Sequence, residues 1–257
     1  MKLFFREYGN GKPLIILHGL FGSSDNWLPQ AKIFSDQYKV YVVDLRNHGQ
    51  SPHSDAFDYP VMVADLVEFV QEHQLNDPII LGHSMGGKAA MNFALSHPDK
   101  LSRLIVVDIA PRAYDLEHYV IVDGLKSIPL SQLSSRNDAD VILSKFVPEP
   151  GVRQFLLKNL QRTAEGGFSW KINLPVLDQK LGNVGVDLQV SGVFDKPALF
   201  IRGSQSSYIR DEDRKKIKDI FPKSSLVSMD TGHWVQAEKP QEFVEVVMQW
   251  LTTQSPS

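Results

Sequence analysis

The sequence contains no cysteine. Disulfides, a thiolate nucleophile and cysteine-ligated metal are therefore excluded from its chemistry. It also lacks an excess of one charge: 27 basic against 30 acidic side chains leave a net charge of −3. The signs are interspersed, and even the densest run, residues 210–218, mixes Arg, Lys, Asp and Glu as a solvated helix face does. This balance gives no footprint for nucleic acid and no pull toward an anionic membrane surface. Long apolar runs are missing too. None approaches the roughly 20 residues that span a bilayer, and the opening MKLFFREYGNGKP holds no apolar stretch of signal-peptide length. The expectation is a cytoplasmic protein without stable membrane insertion. No internal repeat or low-complexity tract stands out.

What is present is apolar content, 42% of 257 residues, enough for one large domain or for a core domain carrying an insert. Strands are expected at 2–8, 13–17, 39–43, 78–81 and 104–107. Helices are expected from Asp25 to about 37, from Pro60 to about 74 and from Gly87 onward. From 112 to 195 the pattern breaks. Helices are expected near 116–126, 138–146 and 152–163, while 170–175 and 181–185 read as irregular. Alternation resumes with a strand at 198–201, a helix near 211–221, a strand at 225–229 and a helix at 240–252, with a frayed tail over 252–257. Strands alternating with helices imply an α/β fold with a mostly parallel central sheet flanked by helices. The expected organisation is a core of 1–111 and 196–257. Residues 112–195 are inserted between two core strands as a helical cap over the strand C-termini, where such sheets bind ligands.

The stretch PIILGHSMGGKAA, residues 78–90, carries the chemistry. A short buried strand, a Gly82-His83-Ser84-Met85-Gly86 turn and a following helix make the context of a nucleophile elbow. The glycines at 82 and 86 remove collisions that side chains would suffer in so sharp a turn. The Met85 amide then sits at a helix N-terminus, where unpaired N–H groups suit a developing oxyanion. A serine nucleophile needs a base, and the base needs an orienting acceptor. His233, in Asp230-Thr-Gly-His-Trp234 after the last strand, is the preferred base. His18 and His48 stand in tight turns that suggest structural hydrogen bonds. His83 cannot reach round to its neighbour, His73 and His97 lie near helix ends, and His53 and His118 sit in polar sequence. For the acid, Asp108 at a strand end is preferred over Asp195, Asp211 and Asp213. The turn after the later strand reads Gly203-Ser-Gln-Ser206, with serine where a carboxylate would otherwise stand, so Ser206 is expected as an accessory partner. The second oxyanion donor is expected from the His18-Gly19-Leu20 loop, as the Leu20 amide. Phe21 and Trp234, with Trp27, Phe146 and Trp170, are candidates for an acyl pocket, against core packing as the commoner role of aromatics.

Five separated motifs, HGLFGSSDNW, VVDLRNHGQSPHS, GHSMGGKAAM, VVDIAP and GHWVQAEKP, resemble those of the α/β-hydrolase superfamily, and within it the YbfF-type bacterial esterases and their eukaryotic relatives. The resemblance covers essentially the whole chain. It implies an α/β-hydrolase fold and a Ser84, Asp108, His233 triad. A serine aligned with Ser206 lies near the site in bacterial members. It further implies hydrolysis of carboxylic esters, with acyl thioesters such as acyl-CoA as a second class. The implied partner is a small-molecule substrate, and no metal or organic cofactor is required. Two alternatives stay open. One is a C–C bond hydrolase or small lyase on the same scaffold, for which Arg46, Arg112 or Arg202 would bind a substrate carboxylate. The other is a non-catalytic binding protein, although such decayed chains lose residues that are all present here.

Overall fold

The computed structural model describes residues 1–115 and 118–253. Its strands are β1 (Phe5–Tyr8), β2 (Lys12–Leu17), β3 (Tyr38–Val43), β4 (Ile79–His83), β5 (Arg103–Val107), β6 (Leu160–Arg162), β7 (Phe168–Trp170), β8 (Ala198–Gly203) and β9 (Ser224–Met229). Its helices are α1 (Leu28–Phe34), α2 (Tyr59–Glu72), α3 (Met85–Ser96), α4 (Tyr119–Lys126), α5 (Arg136–Leu143), α6 (Pro150–Leu157), α7 (Leu174–Lys180), α8 (Gly182–Gly185), α9 (Asp213–Ile220), α10 (Val235–Glu238) and α11 (Pro240–Thr253).

Seven strands form one sheet in the order β1-β3-β2-β4-β5-β8-β9. β1 runs antiparallel to β3, and the other neighbouring pairs are parallel. Parallel pairs need crossover connections, which lay helices on both faces. Alternate residues of one strand therefore serve different cores. Ile15 and Leu17 join Ile80, Leu104 and Phe200 in the core that includes residues of α2 and α3. Leu14 and Ile16 join Leu81, Ile105 and Ile201 in the core that includes residues of α1 and α11. Burial on both faces is why these strands read as unbroken apolar runs.

The register places the site. Chain order reverses at β2, which pairs with β3 on one side and β4 on the other. The connections leaving β2 and β4 diverge there and open a crevice. Leu17 is in register with Gly82, so the turn after β2 lies beside Ser84. Val107 is in register with both His83 and Ile201, which brings Asp108 and the turn after β8 to the same rim.

The segment between β5 and β8 holds α4 to α8. Its buried side chains, Leu125, Leu143, Leu157 and Leu177 among them, join the sheet's core instead of closing a separate one. The sequence predicts a helical segment, but the segment also contains two strands. The helix expected to reach 163 ends at Leu157, and β6 and β7 then pair as an antiparallel hairpin with Leu160 opposite Trp170. The stretches read as irregular contain the start of α7 and all of α8. Near the N-terminus, the helix expected from Asp25 is a 3-10 turn, Ser24–Trp27, followed by α1, and the Asp25 carboxylate pairs with Arg6 at 2.7 Å. The first strand starts at Phe5, not at residue 2. The first two residues of the helix expected at 116–126, and the tail from 254, lie outside the described residues. Among the described residues no helix is long and apolar enough to cross a membrane.

Candidate active site

Ser84 links β4 to α3 with φ 52° and ψ −118°, a conformation residues with side chains rarely adopt. The turn is tight on both sides. A Cβ on Gly82 would lie 2.3 Å from the Gly86 carbonyl oxygen, and one on Gly86 would lie 2.5 Å from that of His18. Backbone bonds hold the strained residue. The Ser84 amide donates to the Val107 carbonyl at 3.0 Å, and the Ser84 carbonyl accepts from the Lys88 amide at 3.0 Å. The half-buried Ser84 lines a cleft together with His233, Leu20, Phe21 and Phe155.

Asp108 follows β5 with φ 48° and is fully buried. Its carboxylate gathers three donors. His233 Nδ1 donates to Oδ2 at 2.8 Å, the Gly203 amide donates to Oδ1 at 3.0 Å, and the Ser206 hydroxyl donates to Oδ2. With the proton on Nδ1, a neutral His233 keeps its Nε2 lone pair as an acceptor. Two further contacts hold the residue, one on its ring and one on its backbone. It stacks on Tyr208 with centroids 4.0 Å apart, and the His233 carbonyl accepts from His83 Nε2 at 2.9 Å. The other carboxylates weighed from sequence have different partners: Asp211 pairs with Arg202 and Arg214, Asp195 with Lys223, and Asp213 with Arg112.

Leu20 and Met85 flank Ser84 in a void of about 20 Å³. Among the described residues, neither backbone amide donates to a backbone carbonyl. The turn carrying Leu20 is braced by buried histidines. His18 Nε2 accepts from the Leu45 amide at 2.9 Å while its Nδ1 donates to the Gly19 carbonyl at 2.8 Å. His48 Nε2 accepts from the Phe21 amide at 3.2 Å while its Nδ1 donates to the Arg46 carbonyl at 2.9 Å. Burial pushes His18 down to about 4 and His48 and His83 down to about 3, so all three stay neutral.

Two features of the site were not legible. His118, which sequence placed in polar surroundings, lies in the cleft near Phe21, with ring centroids 6.5 Å apart. Its neighbours come from the turn after β2 and from the His233 loop, both remote in sequence. Burial, with His233 nearby, lowers it to about 4. Tyr208 was also missed, although its place two residues after Ser206 was the available signal. Of the aromatic candidates, Phe21, Trp27 and Trp234 line the cleft. Phe146 packs at Gly124 of α4, and Trp170 pairs with Leu160 in the hairpin.

The arginines considered for a substrate carboxylate are all engaged. Arg46 is buried and donates to both oxygens of Asp65, at 2.6 and 2.9 Å. Arg112 pairs with Asp213 at 3.0 Å and Arg202 with Asp211 at 2.9 Å.

A family model described as alpha/beta hydrolase fold matches residues 12–127. The chain belongs to the α/β-hydrolase family. Among its relatives, the Escherichia coli (strain K12) protein named esterase YbfF is 35% identical over 244 residues, 94% of each chain. The mouse protein named sn-1-specific diacylglycerol lipase ABHD11 is 37% identical over 247 residues, 93% of this chain and 80% of that one. A solved structure described as a marine microorganism esterase matches with a TM-score of 0.95 at 42% identity, over 97% of this chain and 99% of that one.

Proposed function

We propose that this chain is a carboxylic ester hydrolase that works through an acyl-enzyme on Ser84. The observation that carries the reading is the hydrogen bond from His233 Nδ1 to the buried Asp108 carboxylate, at the rim where Ser84 enters the cleft. The likeness to named esterases over nearly the whole chain supports the same reaction.

In this reading His233 Nε2 takes the Ser84 proton as Oγ attacks the acyl carbonyl. The Leu20 and Met85 amides bind the oxyanion of the tetrahedral intermediate, and losing one such donor costs about 3 kcal/mol. Asp108 holds the imidazole tautomer and stabilises its protonated form, with Ser206 and Gly203 steadying the carboxylate. The intermediate collapses as the bond to the leaving oxygen breaks and His233 gives that oxygen its proton. Water, deprotonated by the same nitrogen, then releases the acid and restores Ser84. Residues 112–195 act as a cap that walls the cleft, with Phe21 and Trp234 on the core side. Acyl thioesters such as acyl-CoA are a second substrate class for the same machinery. The ion pairs at Arg46, Arg112 and Arg202 weigh against a C–C hydrolase that recognises a carboxylate through them.

The test is turnover of a short aryl ester and of the same acyl group on CoA, by the wild type and by Ser84→Ala. Serine-dependent turnover of the ester is expected, with a loss of about 10⁴-fold or more in the variant. A folded wild type that cleaves neither donor, or a variant that keeps the wild-type rate, would overturn the reading. The ratio of the two kcat/KM values decides between ester and thioester.

A further inference from the structure

We infer that Phe155 on α6 is a specificity-determining residue that ends the acyl pocket and restricts it to short acyl groups. This rests on the ester-hydrolase reading above and concerns which esters that site takes.

The space at Ser84 is small. The cleft has a free volume of about 50 Å³, and the void behind Leu20 and Met85 has about 20 Å³. On this measure a water-sized group needs about 10–15 Å³. The cleft therefore takes roughly three to five such groups and the void one or two. So little free space beside Ser84 suits a short acyl group better than a fatty chain.

The closure comes from two facing walls. α6 presents Val152, Phe155 and Leu156 to the cleft, the i, i+3, i+4 spacing of one helix face. Opposite, Trp234 follows the proposed base. The Phe155 and Trp234 rings meet with centroids 6.0 Å apart at 51°, and both side chains are half-buried. The Trp234 side is fixed. Glu238 accepts from the Gly232 amide at 2.8 Å and from the Trp234 amide at 3.2 Å, so the loop bearing His233 and Trp234 is clamped to α10. The α6 side is tied at its far end, where the buried Asn159 Nδ2 donates to the Phe21 carbonyl at 2.7 Å. Phe155 thus stands between two anchored segments, and its ring fills the space into which a longer chain would extend. Apolar neighbours mean that the space behind it, once opened, suits methylenes.

The experiment is a series of p-nitrophenyl esters from acetate to decanoate, in which the leaving group is constant and only the acyl chain changes. The wild type is expected to prefer acetate or butanoate over octanoate by about tenfold or more in kcat/KM, within the range a few misfitted methylenes produce. Phe155→Ala is expected to raise octanoate by about tenfold while acetate changes by less than about threefold. Trp234→Ala opens the opposite wall and is expected to shift the profile the same way, and it serves if Phe155→Ala does not fold. The inference is overturned if the wild type cleaves octanoate as fast as butanoate, or if the folded variants rescale every ester equally. A wild type inactive on the entire series overturns the ester-hydrolase reading itself. A serine-dependent wild type with no short-chain preference overturns only the role of Phe155.

Discussion

His48 makes no contact with the proposed triad, yet the turn that carries Leu20 depends on it. Its Nδ1 donates to the Arg46 carbonyl, which leaves Nε2 as an acceptor for the amide of Phe21, a residue at φ 60°. Burial keeps the ring neutral, with a pKa of about 3, and the acceptor role needs that neutrality. His48→Ala strands a buried amide, a loss of about 1–3 kcal/mol. It also frees the turn, and misplacement of the proposed oxyanion donor there costs up to about a hundredfold in rate. The expected result is a lower melting temperature and a fall in kcat greater than the change in KM, with His48→Gln recovering part of both. Ser206 acts closer in, through its hydroxyl bond to the Asp108 carboxylate. A bond to a charged acceptor is worth about 1.5–3 kcal/mol. Ser206→Ala is therefore expected to lower kcat roughly tenfold with little change in KM, which steady-state kinetics on a short ester would show.

Elements differ in how far their cause is local. The strand before the elbow is buried on both faces, so it reads as an apolar run; Gly82 is required by Gly86 one turn away, and Gly86 by the Leu17 and His18 carbonyls at the end of β2. Asp108 at a strand end, His233 after the last strand and the loop after β2 were legible for the same reason, since the sheet fixes where strand ends point. The inserted segment was less legible because its causes are distant. β6 and β7 are three residues each with polar positions at Gln161, Arg162 and Ser169, and only their pairing makes them strands. The stretch 170–175 read as irregular, but its Pro175 sits in the first turn of α7, where the missing N–H has no helical partner to lose. The helix α6 offers a direct check on local propensity. Its Gly151 is exposed, and a Cβ there would meet nothing within 4 Å. Gly151→Ala is expected to stabilise the chain by about 0.5–1 kcal/mol. By contrast, Gly86→Ala drives a Cβ to 2.5 Å from a backbone oxygen and is expected to abolish both stable folding and turnover. Melting curves of the two variants, side by side, separate open space from a closed elbow.

At the scale of the whole molecule, stability is linked to protons held or refused by buried groups. His18, His48 and His83 stay neutral when folded down to about 4, 3 and 3, against 6.5 for an exposed histidine. Between those values the unfolded chain binds more protons, so stability falls as pH drops through that window. Lys88 works at the other end. It is fully buried on α3, its ammonium donates to the Gly185 and Val186 carbonyls at the end of α8, and the Tyr114 ring lies 5.0 Å away. The inserted segment is thereby fastened to the helix that follows Ser84. Burial lowers Lys88 to about 8 from an ordinary 10.5. The folded chain therefore releases this proton first, and the unfolded chain holds more protons between about pH 8 and 10, so raising pH stabilises the folded state by about 1 kcal/mol per pH unit. Lys88→Met removes this dependence. Denaturant unfolding of both proteins should show the wild type gaining on the variant as pH rises through that window, and a constant gap below it. A gap that stays flat across the entire range would mean that Lys88 titrates alike in the folded and unfolded states.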